Sequence, residues 1–493
     1  MDKSQCLEIP RRPSGFALTT LTAIAAVAMA AALLLSGCAS PGDMPPRVQT
    51  VAPSSVGLDQ GNATPVFGQQ WWQSFQDPAL DALVVKALAD HPSLQAAQAR
   101  LRRAEAAVAR VQGGEQPKVD GRFDATRQRF SEHSLYPPPL AGSTQTTSTL
   151  QLEASWELDF FGRNRASLQS ALGAQRAAEA EAQAAGVLLA SNVARGYFQL
   201  ARLQAQRELA ERALVQRSDM LQLTRQRVQA GLDTSVELRQ GEGALPEIRQ
   251  QIESLDEQMA LTRHALAALT VQAPDALNDV KPQLRSVQAV PLPMSVPADL
   301  LGRRADIEAA RQRVEAAAQD LALARTQFYP SVNLVAFAGF SSIGLDKLLQ
   351  SGSRQFGVGP AIHLPIFDAG RLRANYRGKA ADVDAAVGAY NGAVLDAVRE
   401  VADQISSLQS IARQQREQAA AQQAAESAFD LAVQRYKAGL GTYLTVLAAE
   451  SNVLAQRRTA ADLKARTLDA QVSLMRALGG GYAVPALETA QAR

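Results

Sequence analysis

The stretch "RYKAGLGTYLTVLAAE", Arg435 to Glu450, places Gly439 and Gly441 inside a segment that otherwise reads as helix. No proline occurs between Pro365 and Pro485, so the chain around this stretch lacks the strongest helix breaker. The same outline lies upstream in "RVQAGLDTSVEL", Arg227 to Leu238: an arginine, three residues, Gly-Leu, then a short polar residue. Glycine after a long helical run marks a C-terminus, because the residue past the last turn commonly adopts the left-handed conformation. Asp233 or Thr234 in one stretch, and Thr442 in the other, can cap a returning helix. Each stretch therefore reads as the tip of a helical hairpin, with its turn at Gly231 and Leu232 or at Gly439, Leu440 and Gly441.

The two tips are not an isolated coincidence. Gly231 and Gly439 are 208 positions apart, as are Gly162 and Gly370, and Val193 and Val401. Upstream the offset is 213, aligning "SLQAAQARLRRAEAAVARVQGGEQP" with "DIEAARQRVEAAAQDLALARTQFYP", which end at Pro117 and Pro330. The change of offset must fall in a loop between these blocks. The chain reads as two copies of one unit, residues 66–275 and 276–484, the second opening on an equatorial linker. A unit of this size exceeds any solenoid repeat and points to duplication of a half-protein.

Each copy has the same order of parts. A helical stretch runs from about Ala79 to Gln112 in the first. Next, "TLQLEASWELDFFG" puts Leu150, Leu152, Ala154, Trp156, Leu158 and Phe160 on one face and polar residues on the other, the period of a strand. "KVDGRFDATRQRF" alternates less strictly, and the proline-rich "SLYPPPLAGSTQTTS" reads as the loop between the two strands. The second copy offers "PSVNLVAFAGFSS" and "FGVGPAIHLPIF". Such hairpins could lie half-buried on a soluble domain. They also have the length that crosses a bilayer at a tilt, with Trp156, Phe160 and Phe161 placed as an aromatic girdle. Four strands cannot close a barrel, and an open edge in lipid leaves unpaired backbone groups, so spanning requires several chains around one barrel.

After the hairpin each copy enters a proline-free run, from about Ala166 to Ala230 and from about Ala374 to Ala438. Roughly 65 residues of helix extend roughly 100 Å. Returning helices follow the tips, the first from about Thr234 to Thr270. Gly241, Gly243 and Pro246 predict a kink early in it. Leu444 and Ala448 lie four apart on one helical face.

The front of the chain decides between the soluble and membrane readings of the hairpins. Lys3, Arg11 and Arg12 precede an apolar run from Phe16 to Leu35, and "LLLSGCAS" follows. The run is long enough for a single spanning helix, but small residues before Cys38 resemble a bacterial lipoprotein signal, cleaved to leave an acylated Cys38. Residues 1–37 are then the signal peptide, 38–65 a flexible leader and 485–493 a flexible tail. Ala39 after the cysteine favours the outer membrane. The only other cysteine, Cys6, lies in the removed segment, so no disulfide is available.

Composition excludes several function classes. Net charge is +2 without a basic block, which disfavours nucleic acid. His91, His133, His264 and His363 show no metal-ligand spacing, and no carboxylate pairs with a nucleophile or base in a recognisable constellation. No cofactor and no enzymatic activity are expected.

The layout resembles the TolC-like outer membrane efflux factors, in the acylated branch serving resistance-nodulation-division pumps. The resemblance covers essentially the whole chain after the signal. It is carried by "WWQSFQDPALDALVVKAL", "VPADLLGRRADIEAARQRVEAA", "FYPSVNL", "FDAGRLRA" and "RYKAGLGTYLTVL". It implies a mainly helical fold, a homotrimer with a shared twelve-stranded transmembrane β-barrel and a helical barrel across the periplasm. It also implies a periplasmic adaptor and an inner-membrane pump as partners. The tip turns would meet the adaptor, and Leu444 and Ala448 occupy the positions where the family narrows its entrance. Two departures matter: Ala305 stands where the pattern usually has proline, and Ala448 where an acidic residue is common. Leu444 could gate as an apolar ring or pack between helices. The rival readings are a periplasmic adaptor lipoprotein of the same systems, opposed by the duplication, and a structural coiled-coil lipoprotein, opposed by the hairpins.

Overall fold

The computed structural model describes residues 46–58, 68–133, 135–284, 287, 290 and 300–482. Cys38, residues 1–37, the leader apart from 46–58, and the tail 485–493 lie outside the described residues. The chain divides into two compact units. One contains Ala109–Ser170 and Ala317–Val383; the other contains Val48–Val108, Ala171–Ala316 and the chain from Asp384.

The first unit is built on a sheet of four antiparallel strands in sequence order: β1 (Lys118–Arg129), β2 (Thr144–Leu158), β3 (Ser331–Ile343) and β4 (Arg354–His363). β1 pairs with β2 from Lys118 opposite Ser155 to Arg129 opposite Thr144. β2 pairs with β3 from Leu158 opposite Val332 to Thr147 opposite Ile343. β3 pairs with β4 from Ser331 opposite His363 to Phe340 opposite Arg354. These registers bring Phe123, Leu150 and Phe340 into one row, and Leu334 beside Trp156 and Pro360. The apolar face stays uncovered: Val119, Phe123, Leu152, Phe356, Val358 and Ile362 are all exposed. Pro360 lies in an edge strand of the chain, where a residue without an N–H is tolerated.

Two sequence expectations shift in this unit. β2 starts at Thr144, inside the segment read as loop. The β-branched "TQTTS" alternates well enough to extend the ladder against Arg129–Ala125 of β1. At its other end β2 stops at Leu158, so Phe160 and Phe161 lie past the strand, in the turn into the next helix. Asp159 causes the stop. Its carboxylate accepts from the Arg163 amide at 2.7 Å and the Arg165 amide at 3.0 Å, holding the free donors of a helix start.

The main helices are α1 (Pro78–Asp90), α2 (Pro92–Gly114), α3 (Arg163–Gln229), α4 (Ser235–Leu269), α5 (Ala305–Thr326), α6 (Arg371–Lys437) and α7 (Tyr443–Ala477). α3 and α6 each run 67 residues and α4 and α7 each 35. The single opening helix read from the sequence is two helices. His91, before Pro92, sits at φ −65° and ψ 130°, because the proline ring disfavours a helical conformation in the residue before it. Pro246 lies inside α4, which continues through it from Ser235 to Leu269.

The core of the second unit forms where "WWQSF" folds onto the long helix. Trp71, Trp72, Phe75, Leu80 and Val84 pack with Tyr197, Phe198, Leu200 and Leu203 of α3 and with Leu468, Val472 and Met475 of α7. Phe75 meets Phe198 edge-on, ring centroids 5.0 Å apart. The Tyr197 hydroxyl donates to Asp77 at 2.8 Å, while the other Asp77 oxygen caps α1 at the Ala79 and Leu80 amides. One carboxylate thus starts a helix and fixes it to another. Ala305 begins α5 next to Arg304, a buried guanidinium. Arg304 donates to Asp306 at 2.6 Å, to Glu400 at 2.9 Å and to the Ala477 carbonyl at 3.2 Å.

Candidate functional site

The tips are built by one backbone device used twice. After α3, the Leu232 amide donates to the Arg227 carbonyl at 2.8 Å and the Gly231 amide to Val228 at 3.0 Å. After α6, Leu440 donates to Arg435 at 2.8 Å and Gly439 to Tyr436 at 3.0 Å. This is the Schellman pattern, which needs a left-handed residue at its end; Gly231 has φ 69° and Gly439 φ 78°. A side chain at either glycine would meet no neighbouring atom, so the glycine is required by the conformation and not by space.

The returning helices are capped by threonine in both copies. Thr234 accepts from the Val236 amide, and Glu237 reaches back to the Thr234 amide at 3.1 Å, completing a capping box. Thr442 accepts from the Thr445 amide. Asp233, the other cap candidate, does something else. It receives the Arg227 guanidinium at 3.0 and 3.3 Å and the Tyr436 hydroxyl at 2.5 Å. Thr224 lies 3.0 Å from that hydroxyl, and the Arg227 guanidinium stands 4.7 Å over the Tyr436 ring. Burial raises the Asp233 carboxyl, but hydrogen bonds from Arg227 and Tyr436 outweigh it and hold the group below its ordinary range. Burial, then the bond to Asp233, pushes Tyr436 up to about 12. The two tips are therefore tied by a neutral phenol donating to a carboxylate.

A second tie lies further along α3. Arg217 of α3 donates to Glu450 of α7 at 3.0 Å and to the Ala244 carbonyl of α4 at 3.2 Å. Both side chains are less than a tenth exposed. The second Glu450 oxygen is buried without a hydrogen-bond partner. Burial raises the Glu450 carboxyl, and Arg217 opposes that shift. Neither this pair nor Tyr436–Asp233 was foreseen from the sequence. The spacing of these residues along the chain, 203 and 233 positions, carries no local signal.

The residues singled out in the sequence are distributed as follows. Leu232 is 65%, Leu440 69% and Leu444 56% exposed, and Ala448 is exposed one helical turn from Leu444. Within one chain, no helix buries Leu444. Val236, at the matching position of the first tip, is equally exposed and was not singled out. At the sheet, Trp156 donates its indole N–H to the Glu115 carbonyl at 3.0 Å. Phe161 stacks on Tyr329 at 5.1 Å, and Phe160 is exposed. The described residues contain no group of three His, Cys, Asp or Glu side chains able to hold a metal ion. They also contain no helix long and apolar enough to cross a membrane.

Comparison with known proteins gives this geometry its setting. A sequence model described as outer membrane efflux protein matches residues 83–271 and again 296–480. The multidrug resistance outer membrane protein MdtQ of Escherichia coli O157:H7 is 32% identical over 462 residues, covering 91% of this chain and 96% of that one. The fusaric acid resistance protein FusA of Burkholderia cepacia is 34% identical over 362 residues, 71% of this chain and 68% of that one. The crystal structure of the outer membrane protein VceC of Vibrio cholerae superimposes with a TM-score of 0.78 at 36% identity, covering 83% of this chain and 98% of that one. The family model, MdtQ and VceC are described as outer membrane proteins, and none of these likenesses supports the adaptor reading. The chain belongs to the outer membrane efflux protein family, whose members are trimeric channels working with a periplasmic adaptor and an inner-membrane pump.

Proposed function

We propose that the trimer of this chain is a passive exit duct for small toxic organic compounds, lipid-anchored through Cys38 and closed at rest by a ring of Leu444 side chains. The duct carries out no chemistry on its cargo; the pump supplies the energy. Cargo of this class follows from the relatives, since MdtQ bears the name of multidrug resistance and FusA that of fusaric acid resistance.

The observation that carries the gate is the exposure of Leu444 and Ala448 on one face of α7, beside a tip whose other face is fixed. Tyr443 and Val446 are buried with Tyr436, so the first turn of α7 cannot rotate Leu444 inward without breaking that cluster. A ring of apolar side chains obstructs ions by dewetting, and the usual acidic ring is replaced here by Ala448. The tip turns around Gly231, Leu232, Gly439, Leu440 and Gly441 present exposed leucines to the adaptor. Trp156, Phe160 and Phe161 belong to the membrane border, where amphipathic rings are favoured.

The test is single-channel conductance in planar bilayers. Leu444→Asp is expected to raise the closed-state conductance severalfold, and an unchanged conductance removes the gate. Acylation is read separately: wild-type protein takes up labelled palmitate and Cys38→Ala does not. Label on the variant would place the lipid elsewhere.

A further inference from the structure

The sheet ends in two bare edges, and the internal repeat specifies how they meet. All of β1 is exposed, and β4 pairs with β3 alone. The two repeat offsets can be tested against the observed pairing. Moving Lys118 by 213 gives Ser331, and moving its partner Ser155 by 208 gives His363; Ser331 and His363 are themselves partners. Moving Arg127 and Thr146 in the same way gives Phe340 and Arg354, again a pair at the other end of the hairpin. The two hairpins thus share one register, and the change of offset falls in the loop between their strands.

The joint between the hairpins, β2 with β3, is made once within the chain. In a closed barrel of three chains the other joint, β4 with β1 of the next chain, is the same contact between one repeat and the next. We infer that it keeps the same register. Leu152 and Ala338 then become Pro360 opposite the partner's Ala125. Gln151 and Gly339 become Gly359 opposite the partner's Thr126. Ser155 and Val335 become His363 opposite the partner's Arg122. Residues 356–363 of one copy lie along residues 122–129 of the partner.

The chemistry of the two edges agrees with this assignment. Ile362, on the apolar face, meets the partner's Phe123, and Ala361 meets the partner's Asp124 on the polar face. A slip by one residue would set Ile362 against a charged side chain and turn every contact to the wrong face. Slips by two keep the faces but break the equivalence with β2 and β3. At the far end, Val358 and Phe356 fall beside the partner's Arg127 and the partner's Arg129, which terminate the apolar band of the seam.

This seam rests on the trimeric-channel reading, and disulfide trapping separates the two. Directly opposed positions bring Cβ atoms within about 5.5 Å, whereas diagonal ones stand at about 7–8 Å, too far for a disulfide. Opposed pairs alternate between wide and narrow, so two successive pairs include one of the narrow kind. The variants are Gly359→Cys with Thr126→Cys and Pro360→Cys with Ala125→Cys, in the full chain, oxidised in outer membranes with copper phenanthroline. Controls combine Gly359→Cys with Asp124→Cys or Gln128→Cys, and Pro360→Cys with Phe123→Cys or Arg127→Cys. At least one matched pair should give inter-subunit cross-links at about ten times the yield of every shifted pair. Stronger cross-linking in a shifted pair overturns the register, as does a native trimer that cross-links at none. Absence of a trimer in the wild-type chain overturns the channel reading itself.

Discussion

The two tips share a backbone, a threonine cap and an exposed leucine, and differ in the side chains that tie one tip to the other. Both end a 67-residue helix with the same hydrogen bonds and the same left-handed glycine. Yet Asp233 of the first tip corresponds, at the repeat offset of 208, to Gly441 of the second, and Tyr436 corresponds to Val228. The first tip supplies a carboxylate and an arginine; the second supplies the phenol that joins them. Arg217 likewise corresponds to Ala425, so the buried tie to Glu450 is made once and not twice. Duplication preserved the turn, which backbone sterics dictate, while the side chains diverged into complementary halves of a single contact.

That comparison can be broken most severely at Arg217. Replacing it by alanine leaves Glu450 buried without its cation, at a cost of about 3–5 kcal/mol. Denaturant unfolding of the detergent-solubilised protein measures the loss. Ala425→Ser at the matching position of the second copy should cost far less, and equal losses would mean that the tie is not special.

Asp233→Ala is expected to rank next. It releases Arg227 and Tyr436 together, at about 1–3 kcal/mol for buried groups left unsatisfied. Hydrogen exchange should show faster amides at both tips, although only the first is mutated. Acceleration confined to the first tip would refute the tie between them.

The caps provide a finer contrast. Thr234→Ala dismantles a capping box, whereas Thr442→Ala removes one long amide bond of 3.4 Å and a hydroxyl contact with Thr445 at 3.1 Å. Losses of about 0.5–2 kcal/mol are typical for such caps, and the first variant should lie nearer the upper end. Reversed order would show that Glu237 adds nothing.

The smallest effect is read by pH. Tyr436 has its pKa raised from the ordinary 10.0 to about 12, first by burial and then by Asp233. Its contribution to stability is therefore complete below pH 10 and lost as pH rises through about 12. Ultraviolet titration of the phenolate, wild type against Tyr436→Phe, isolates this group. A phenol that ionises at its ordinary value would place it outside the contact.

Much of this architecture is legible along the chain because it is written in short-range patterns. Glycine at the end of a long helix, threonine at the start of the next, and period-two alternation each depend on neighbours a few residues away. The boundaries of α3 and α6 lie within a few residues of the runs read from the sequence. The misreadings arose where a local pattern had two outcomes. "TQTTS" could be loop or strand, and pairing with β1 decided for strand. Phe160 continued the alternation, but Asp159 had already begun a helix.

The sequence by itself determined the duplication, the two helical tips and the four strands, because each is encoded by spacing within the chain or by local backbone preference; the family came from the resemblance of its motifs. Only the tertiary structure decided that Asp233 holds Tyr436 and not a helix end. It alone showed that Arg217 meets Glu450, and that both hairpins share one register. The two helix contacts join residues about two hundred positions apart, and only the packed helices bring them within reach of a hydrogen bond; the register is fixed by the pairing of the strands themselves.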